Sequence, residues 1–359
     1  MAKIKLGIIG TGGMANAHAE NLGRIPGVSL HVAMDVVPGR ADAFAETHGM
    51  PWATESLDDV LNDCDAVTIV TPDRFHAEPT LKALKAGLHV MCEKPLTTTL
   101  ADARKVAKAA VKATANGQAH AINFSKRNAP AVIEAIKLVQ RGDLGEVRHV
   151  HGAYLQSWLT ANAWGHWTDE AWLWRLSQAR GSGGVLADLG CHLLDYTTAA
   201  VGPIESIRCS LTNYPKVSKA GRKVTRAGGV DLDANDTALI EFTLASGVTG
   251  ACHTTRWATG YINHEQLEVY GTQGAVRFDL GVSANTLHTC LGNARHRAEW
   301  TAREIKHTPT TWQRFAKAIK TGTPAEPDLV RGAELQAYQD ACERSAQDNA
   351  SPKKILKWV

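Results

Sequence analysis

Apolar residues fall into two textures along the chain. Over the first third they cluster in short, mostly apolar runs at residues 6–9, 30–34, 66–70, 88–92 and 118–122. Amphipathic stretches separate them at 14–22, 40–48, 76–86 and 99–116, with a short acidic helical segment at 57–61. Mostly apolar runs of this length, β-branched at 66–70, read as buried strands, and their alternation with helices predicts a parallel, doubly wound sheet. A helix at 129–141 follows. Beyond it apolar and polar positions tend to alternate, predicting strands at 147–158, 207–211, 237–244, 248–257, 266–270 and 275–278. Turn signals such as Ala245-Ser246-Gly247 join them, so this sheet is mostly antiparallel with one open face. A helix at 190–201 is set into it, residues 213–233 form a loop insertion, and helices at 311–321 and 329–347 close the chain.

The predicted fold class is therefore α/β. An N-terminal Rossmann-type domain spans residues 1–123. An α+β domain with an open-faced, mostly antiparallel sheet spans 124–359, and its last helices are free to pack back on the first domain.

Composition narrows the class. The 359 residues carry a net charge of +3, and the basic stretches at 216–226 and 353–354 lack interleaved aromatics, so they read as solvated loops and exclude a nucleic-acid partner. No run approaches the ~18 apolar residues of a membrane span, and the first strand begins almost at Met1, ahead of which no signal peptide fits. Seven dispersed cysteines without a C-x-x-C pair argue for a reducing, cytoplasmic setting rather than a disulfide framework. No metal-ligand spacing is present.

The candidate chemistry lies at four places. The first strand ends in Gly10-x-Gly12-x-x-Ala15 and runs directly into a helix. Gly10 permits the tight turn, Gly12 lets the backbone approach a pyrophosphate, and Ala15 allows close helix–strand packing. Thr11, Gly13 and Met14 complete the turn, whose free amides would face the phosphates of a dinucleotide. Asp35 ends the second strand, about where a ribose-binding carboxylate is required. Thr71, Lys94 and Asn123 also stand at carboxyl ends of predicted strands, where ligands bind in such sheets.

Lys94 is an unusual choice for a structural turn. Half-buried near a nicotinamide, it would polarise a hydroxyl or carbonyl oxygen. Asp188 and His192, four residues apart across a predicted helix start, supply a carboxylate and a proton carrier active near neutral pH. Tyr154 to Arg175 is an aromatic tract holding Trp158, Trp164, Trp167, Trp172 and Trp174, with His166 and Arg175 among them. Tryptophan faces suit sugar C–H surfaces, and they suit packing at a domain junction equally well.

Taken together, Gly10-x-Gly12-x-x-Ala15, Thr71-Pro72, Glu93-Lys94-Pro95 and the run from Gly184 to His192 resemble the glucose–fructose oxidoreductase / inositol dehydrogenase / MocA-like family over essentially the whole chain. The resemblance implies NAD as cofactor, held by Gly10 to Met14, Asp35, Thr71, Pro72, His76, Glu93 and Lys94. It implies that Lys94 orients the reacting hydroxyl, Asp188 supports the site and His192 is the proton acceptor or donor. A cis Lys94–Pro95 bond and a homodimer or homotetramer built on the open sheet also follow from it. Asp73 stands where relatives often have asparagine.

The sugar- and glycoside-acting branch resembles this chain most, through Lys126, Arg127, Trp158, Trp174 and Arg175. It implies a carbohydrate substrate met by Lys94, Asn123, Lys126, Tyr154, Trp158, His166, Trp174, Arg175, Asp188 and His192. Lys126 or Arg127 would pair with an anionic sugar, or sit solvated at a helix start. The activity implied is hydride transfer from a ring hydroxyl of a sugar, polyol or glycoside. The alternatives are a redox-neutral, NAD-dependent glycoside hydrolase and a non-catalytic NAD-sensing regulator.

Asp35 accepts from ribose hydroxyls, whereas its charge repels a 2′-phosphate. Catalytic efficiency is therefore expected to be higher with NAD than with NADP, and a clear NADP preference would overturn the role given to Asp35.

Overall fold

The computed structural model describes residues 3–359, which form two compact units. The first takes the chain up to Ser125 together with Pro309–Gln336 and Trp358–Val359. The second takes Lys126–Thr308 and Ala337–Lys357.

In the first unit, β1 (Ile4–Ile9), α1 (Gly13–Gly23), β2 (Val28–Met34), α2 (Arg40–His48), β3 (Trp52–Thr54), α3 (Leu57–Asp63), β4 (Ala66–Ile69), α4 (Ala77–Lys85), β5 (His89–Cys92), α5 (Leu100–Ala115) and β6 (His120–Ile122) alternate. The six strands are parallel in the order β3-β2-β1-β4-β5-β6, which reverses direction of growth between β1 and β4. Local signals set the helix ends. Ser56 caps α3 through the Asp59 amide, and Thr99 caps α5 through the Asp102 amide.

Register is what builds the functional edge. Ile9 lies opposite Met34 and Ile69, Ile69 opposite Cys92, and Cys92 opposite Ile122. The strands thus end in line, and the residues that follow them share one edge of the sheet. The helix Thr311–Thr321 belongs to this unit. Its Trp312, Phe315, Ala316 and Ala318 pack with Leu6, Leu22, Met91 and Ala121. A capping box formed by Thr310 and Gln313 starts it.

The second unit opens with α6 (Pro130–Gln140), Pro130 standing at the first helical position. The strand β7 (Val147–Gln156) then sits inside a nine-stranded sheet. It pairs antiparallel with Asn263–Gly271 and parallel with Thr249–Thr255, and the other neighbours are antiparallel. The helix Cys191–Val201 covers one face. At Gly152 of β7 a Cβ would stand 2.8 Å from Leu193, so glycine lets the helix seat closely. Outward positions such as Leu239 and His149 keep the other face open.

Four features depart from the sequence expectations. The short strands Trp52–Thr54, Thr286–Leu291, Thr301–Glu304 and Lys353–Lys354 carry too little apolar pattern to be read. The helix expected from 190 begins at Gly184 and passes through a π-helical turn, Leu186–Gly190, before Cys191. The loop insertion folds into two small ribbons, Lys216–Val217 with Lys223–Val224 and Arg226–Ala227 with Val230–Asp231. Lys216, expected in solvent, is fully buried against Asp236. Among the described residues no helix is long and apolar enough to cross a membrane.

Gly10 has φ +90°, and a Cβ there would lie 2.9 Å from the Val70 carbonyl and the Thr71 amide nitrogen. Gly10→Ala is expected to destabilise the protein by about 1–3 kcal/mol, the usual cost of strain at such a position. Urea unfolding reads it, and an unchanged midpoint would contradict the packing described.

Candidate active site

The turn after β1 leaves a cradle. At Gly12 and Gly13 a Cβ would meet nothing within 4 Å, and no side chain caps α1. The first amides of α1 therefore face open space at the positive end of the helix dipole, which suits a diphosphate. Asp35 lies at the same edge, its Oδ2 accepting from the Thr11 amide at 2.9 Å and hydroxyl at 2.8 Å, its Oδ1 from the Val37 amide. Burial opposes its charge, but the Thr11 and Val37 donors hold the carboxyl below its ordinary range. These residues fit a dinucleotide, with Met14 half exposed beside them and Thr71 and Pro72 following β4.

Behind that edge lies a buried polar network. His18 Nε2 donates to Glu93 Oε1 at 2.7 Å, and its Nδ1 lies 2.7 Å from the Thr68 hydroxyl. The Asn123 amide donates to the same Glu93 oxygen at 2.6 Å and accepts from the Thr311 hydroxyl at 2.6 Å. Burial pushes the Glu93 carboxyl up, but His18, Asn123 and the Lys94 charge more than offset it, so Glu93 is held ionised. Its second oxygen accepts from the Lys94 backbone amide at 3.1 Å, and Lys94–Pro95 is cis. Lys94 itself is half-buried at the end of β5.

Two expected ligand contacts are buried instead. Asn123 is fully enclosed and spent on the network. His76 is enclosed too, one ring nitrogen 2.7 Å from the Pro95 carbonyl and the other 2.8 Å from that of Thr71. It staples the ends of β4 and β5 to each other. Sequence reasoning missed His18, although it shares the buried face of α1 with Ala15, Ala19 and Leu22. A polar residue on such a face is itself the signal of a network.

The second unit gathers the remaining candidates. Lys126 pairs with buried Glu265 at 2.5 Å and lies 5.3 Å over the Tyr154 ring, which is 6.4 Å from the His192 ring. Burial, then the Glu265 and Asp188 charges, push the Tyr154 hydroxyl well above its ordinary value, so it keeps its proton. Arg127 is buried in a two-pronged pair with Asp195, both bonds at 2.7 Å. Neither cation is a solvated helix-start residue.

Asp188 Oδ2 forms an ion pair with Arg175 at 2.9 Å and accepts from Arg256 at 3.0 Å. Arg256, which sequence reasoning missed, is fully buried at the end of an alternating strand, with the Trp158 ring 4.9 Å from its guanidinium. The tryptophans divide. Trp158 and Trp167 are core, packed with Leu159, Leu173, Leu176 and Leu232, whereas Trp174 is half exposed against Arg175 at 4.7 Å. His166 turns into its own loop, its Nδ1 2.8 Å from the Thr168 hydroxyl.

Two family descriptions match in tandem. Residues 4–119 match the oxidoreductase family with NAD-binding Rossmann fold, GFO_IDH_MocA, and residues 132–277 match the GFO/IDH/MocA C-terminal domain. The chain belongs to the GFO/IDH/MocA oxidoreductase family. Its first unit is accordingly an NAD-binding Rossmann domain. Among GFO/IDH/MocA relatives, levoglucosan dehydrogenase of Pseudarthrobacter phenanthrenivorans is 27% identical over 303 residues, covering 78% of this chain and 74% of that protein. Inositol 2-dehydrogenase of Rubrobacter xylanophilus is 27% identical over 356 residues, covering 98% and 93%. The crystal structure of an oxidoreductase domain protein from Kribbella flavida superposes with a TM-score of 0.87 at 28% identity, covering 99% of this chain and 100% of that one.

Two carbonyl acceptors on one imidazole require an N–H on both nitrogens. Burial opposes that charge at His76, but the Cys92 sulfur, Asp73 and the Pro95 carbonyl raise it from 6.5 to about 10. A group raised in the folded state stabilises fully below its unfolded value, and the gain is lost as pH rises through the folded value. The stability difference between wild type and His76→Ala is thus expected to be largest at or below pH 6.5 and to shrink towards pH 10. Thermal unfolding across that range checks it, and a difference independent of pH would rule out the imidazolium.

Proposed function

We propose that this protein is an NAD-dependent dehydrogenase acting on a ring hydroxyl of a sugar, polyol or glycoside. The observation that carries the reading is Lys94, half-buried at the end of β5 on the same strand-end edge as the Gly10–Met14 turn and Asp35. The relatives named after levoglucosan and inositol support a ring alcohol as substrate.

NAD, when bound, accepts a hydride from the carbinol carbon. Lys94 orients the alcohol oxygen and stabilises the negative charge that develops on it. The Glu93 carboxylate fixes the Lys94 backbone. His192 takes the hydroxyl proton. Tyr154 offers a hydroxyl that remains protonated, and Asp188 is a positioning carboxylate held by Arg175 and Arg256. Asp35 holds the adenosine ribose, which requires its bonds to Thr11 to be shared or exchanged.

Free sugars and nitrophenyl glycosides, each supplied with NAD, test the proposal. One NADH is expected per sugar oxidised. Lys94→Ala and His192→Ala are each expected to lower turnover about 10²–10⁴-fold, the usual worth of a general acid or base, with NADH binding retained. Aglycone release that requires NAD yet accumulates no NADH would replace the dehydrogenase by a redox-neutral glycosidase. Near-native turnover in either variant would remove that residue from the mechanism.

A further inference from the structure

The charges around Asp188 do not balance. One carboxylate oxygen serves two guanidinium groups, Arg175 at 2.9 Å and Arg256 at 3.0 Å. Arg256 has no access to solvent, and its remaining contacts are the Arg175 carbonyl at 3.1 Å and the Trp158 ring. The other carboxylate acting on it is Asp236, which already pairs with fully buried Lys216 at 2.5 Å. Three cations thus share two carboxylates. The other two cations of this unit's candidate site are matched one to one, Lys126 by Glu265 and Arg127 by Asp195.

The surplus has an outlet. Arg175 retains 29% of its side-chain exposure, and Asp188 20%. The Arg175 guanidinium lies 4.7 Å from the Trp174 ring and 6.0 Å from the Trp172 ring. Its Nη1 forms an ion pair with Asp188, and its Nε and Nη2 are the two donors that bind a carboxylate in parallel. The flanking tryptophans keep the fork from rotating and lower the local dielectric, which strengthens an ion pair made there.

We infer that Arg175 is the specificity-determining residue of the substrate site, and that it selects a sugar or glycoside bearing a single carboxylate over its neutral counterpart. A monoanion matches the one unbalanced charge, whereas a dianion overcompensates it. Arg256 is the positioning residue. It holds Asp188, and its buried charge keeps Asp188 from neutralising Arg175 alone. The inference deepens the proposed sugar dehydrogenase and rests on it.

The test compares matched pairs, glucose with glucuronate and methyl glucoside with methyl glucuronide, as kcat/KM with NAD. Titration of glucuronate into the enzyme–NADH complex measures binding without turnover. Wild type is expected to favour the carboxylate partner by roughly 10- to 100-fold, the scale of a hydrogen bond to a charged group. Arg175→Gln is expected to reduce that ratio to near unity, and Arg175→Lys, which keeps the charge but not the fork, to restore part of it. Oxidation of neutral and acidic sugars with equal efficiency by wild type would overturn the inference and leave the dehydrogenase standing. An Arg175→Gln loss shared equally by both partners would also overturn it. Glucuronate binding that depends on Arg175, with no sugar oxidised, would retain the anion site and remove the dehydrogenase.

Discussion

A buried, ionised carboxylate governs the NAD-binding unit. Taking Glu93 out of water costs several kcal/mol unless its oxygens are answered, and here three elements answer them: His18 from α1, Asn123 from the end of β6, and the Lys94 amide at the end of β5. Thr311 extends the network to the helix Thr311–Thr321, whose Trp312 ring meets His18 edge-on at 5.5 Å. His18 and Asn123 together answer one oxygen, and the Lys94 amide answers the other. The position of Lys94 is therefore set by the packing of the sheet against its helices rather than by a flexible loop, and His76 repeats the device by tying the carbonyls of Thr71 and Pro95.

The second unit uses charge differently. Arg127–Asp195 and Lys216–Asp236 are closed pairs, enclosed with their charges matched. They tie the turn before α6 to the helix Cys191–Val201 and the inserted ribbons to the sheet. Asp188 sits in a π-helical turn, where the extra residue per turn shifts side-chain directions relative to a plain α-helix. Its carboxylate meets Arg175 and Arg256.

Most of the Rossmann unit was legible because strands buried on both faces leave continuous apolar runs, and because Gly10, Asp35 and Lys94 occupy strand ends where residue type alone is informative. The edge strands were not. Thr301–Glu304 is exposed throughout and stabilised by pairing with Thr286–Leu291, which no local pattern records. Lys216, Arg127 and Arg256 were misjudged or overlooked for a common reason: a lysine or arginine reads as solvated unless its distant carboxylate is known, and Asp236, Asp195 and Asp188 lie 20, 68 and 68 residues away. Asn123 and His76 stood at informative positions, but whether a polar side chain faces a ligand or its own backbone is decided by packing.

The discontinuity of the NAD-binding unit bears on its synthesis. Asn123 emerges 188 residues before Thr311, the partner of its carbonyl oxygen. At ribosomal rates that interval is on the order of ten to forty seconds. Throughout it the nascent sheet has Leu6, Leu22 and Met91 without the Trp312 and Phe315 side chains that later cover them. The Asn123 bond and the apolar patch are completed by the same late helix, so the ribosome must finish most of the second unit before the NAD-binding unit can close.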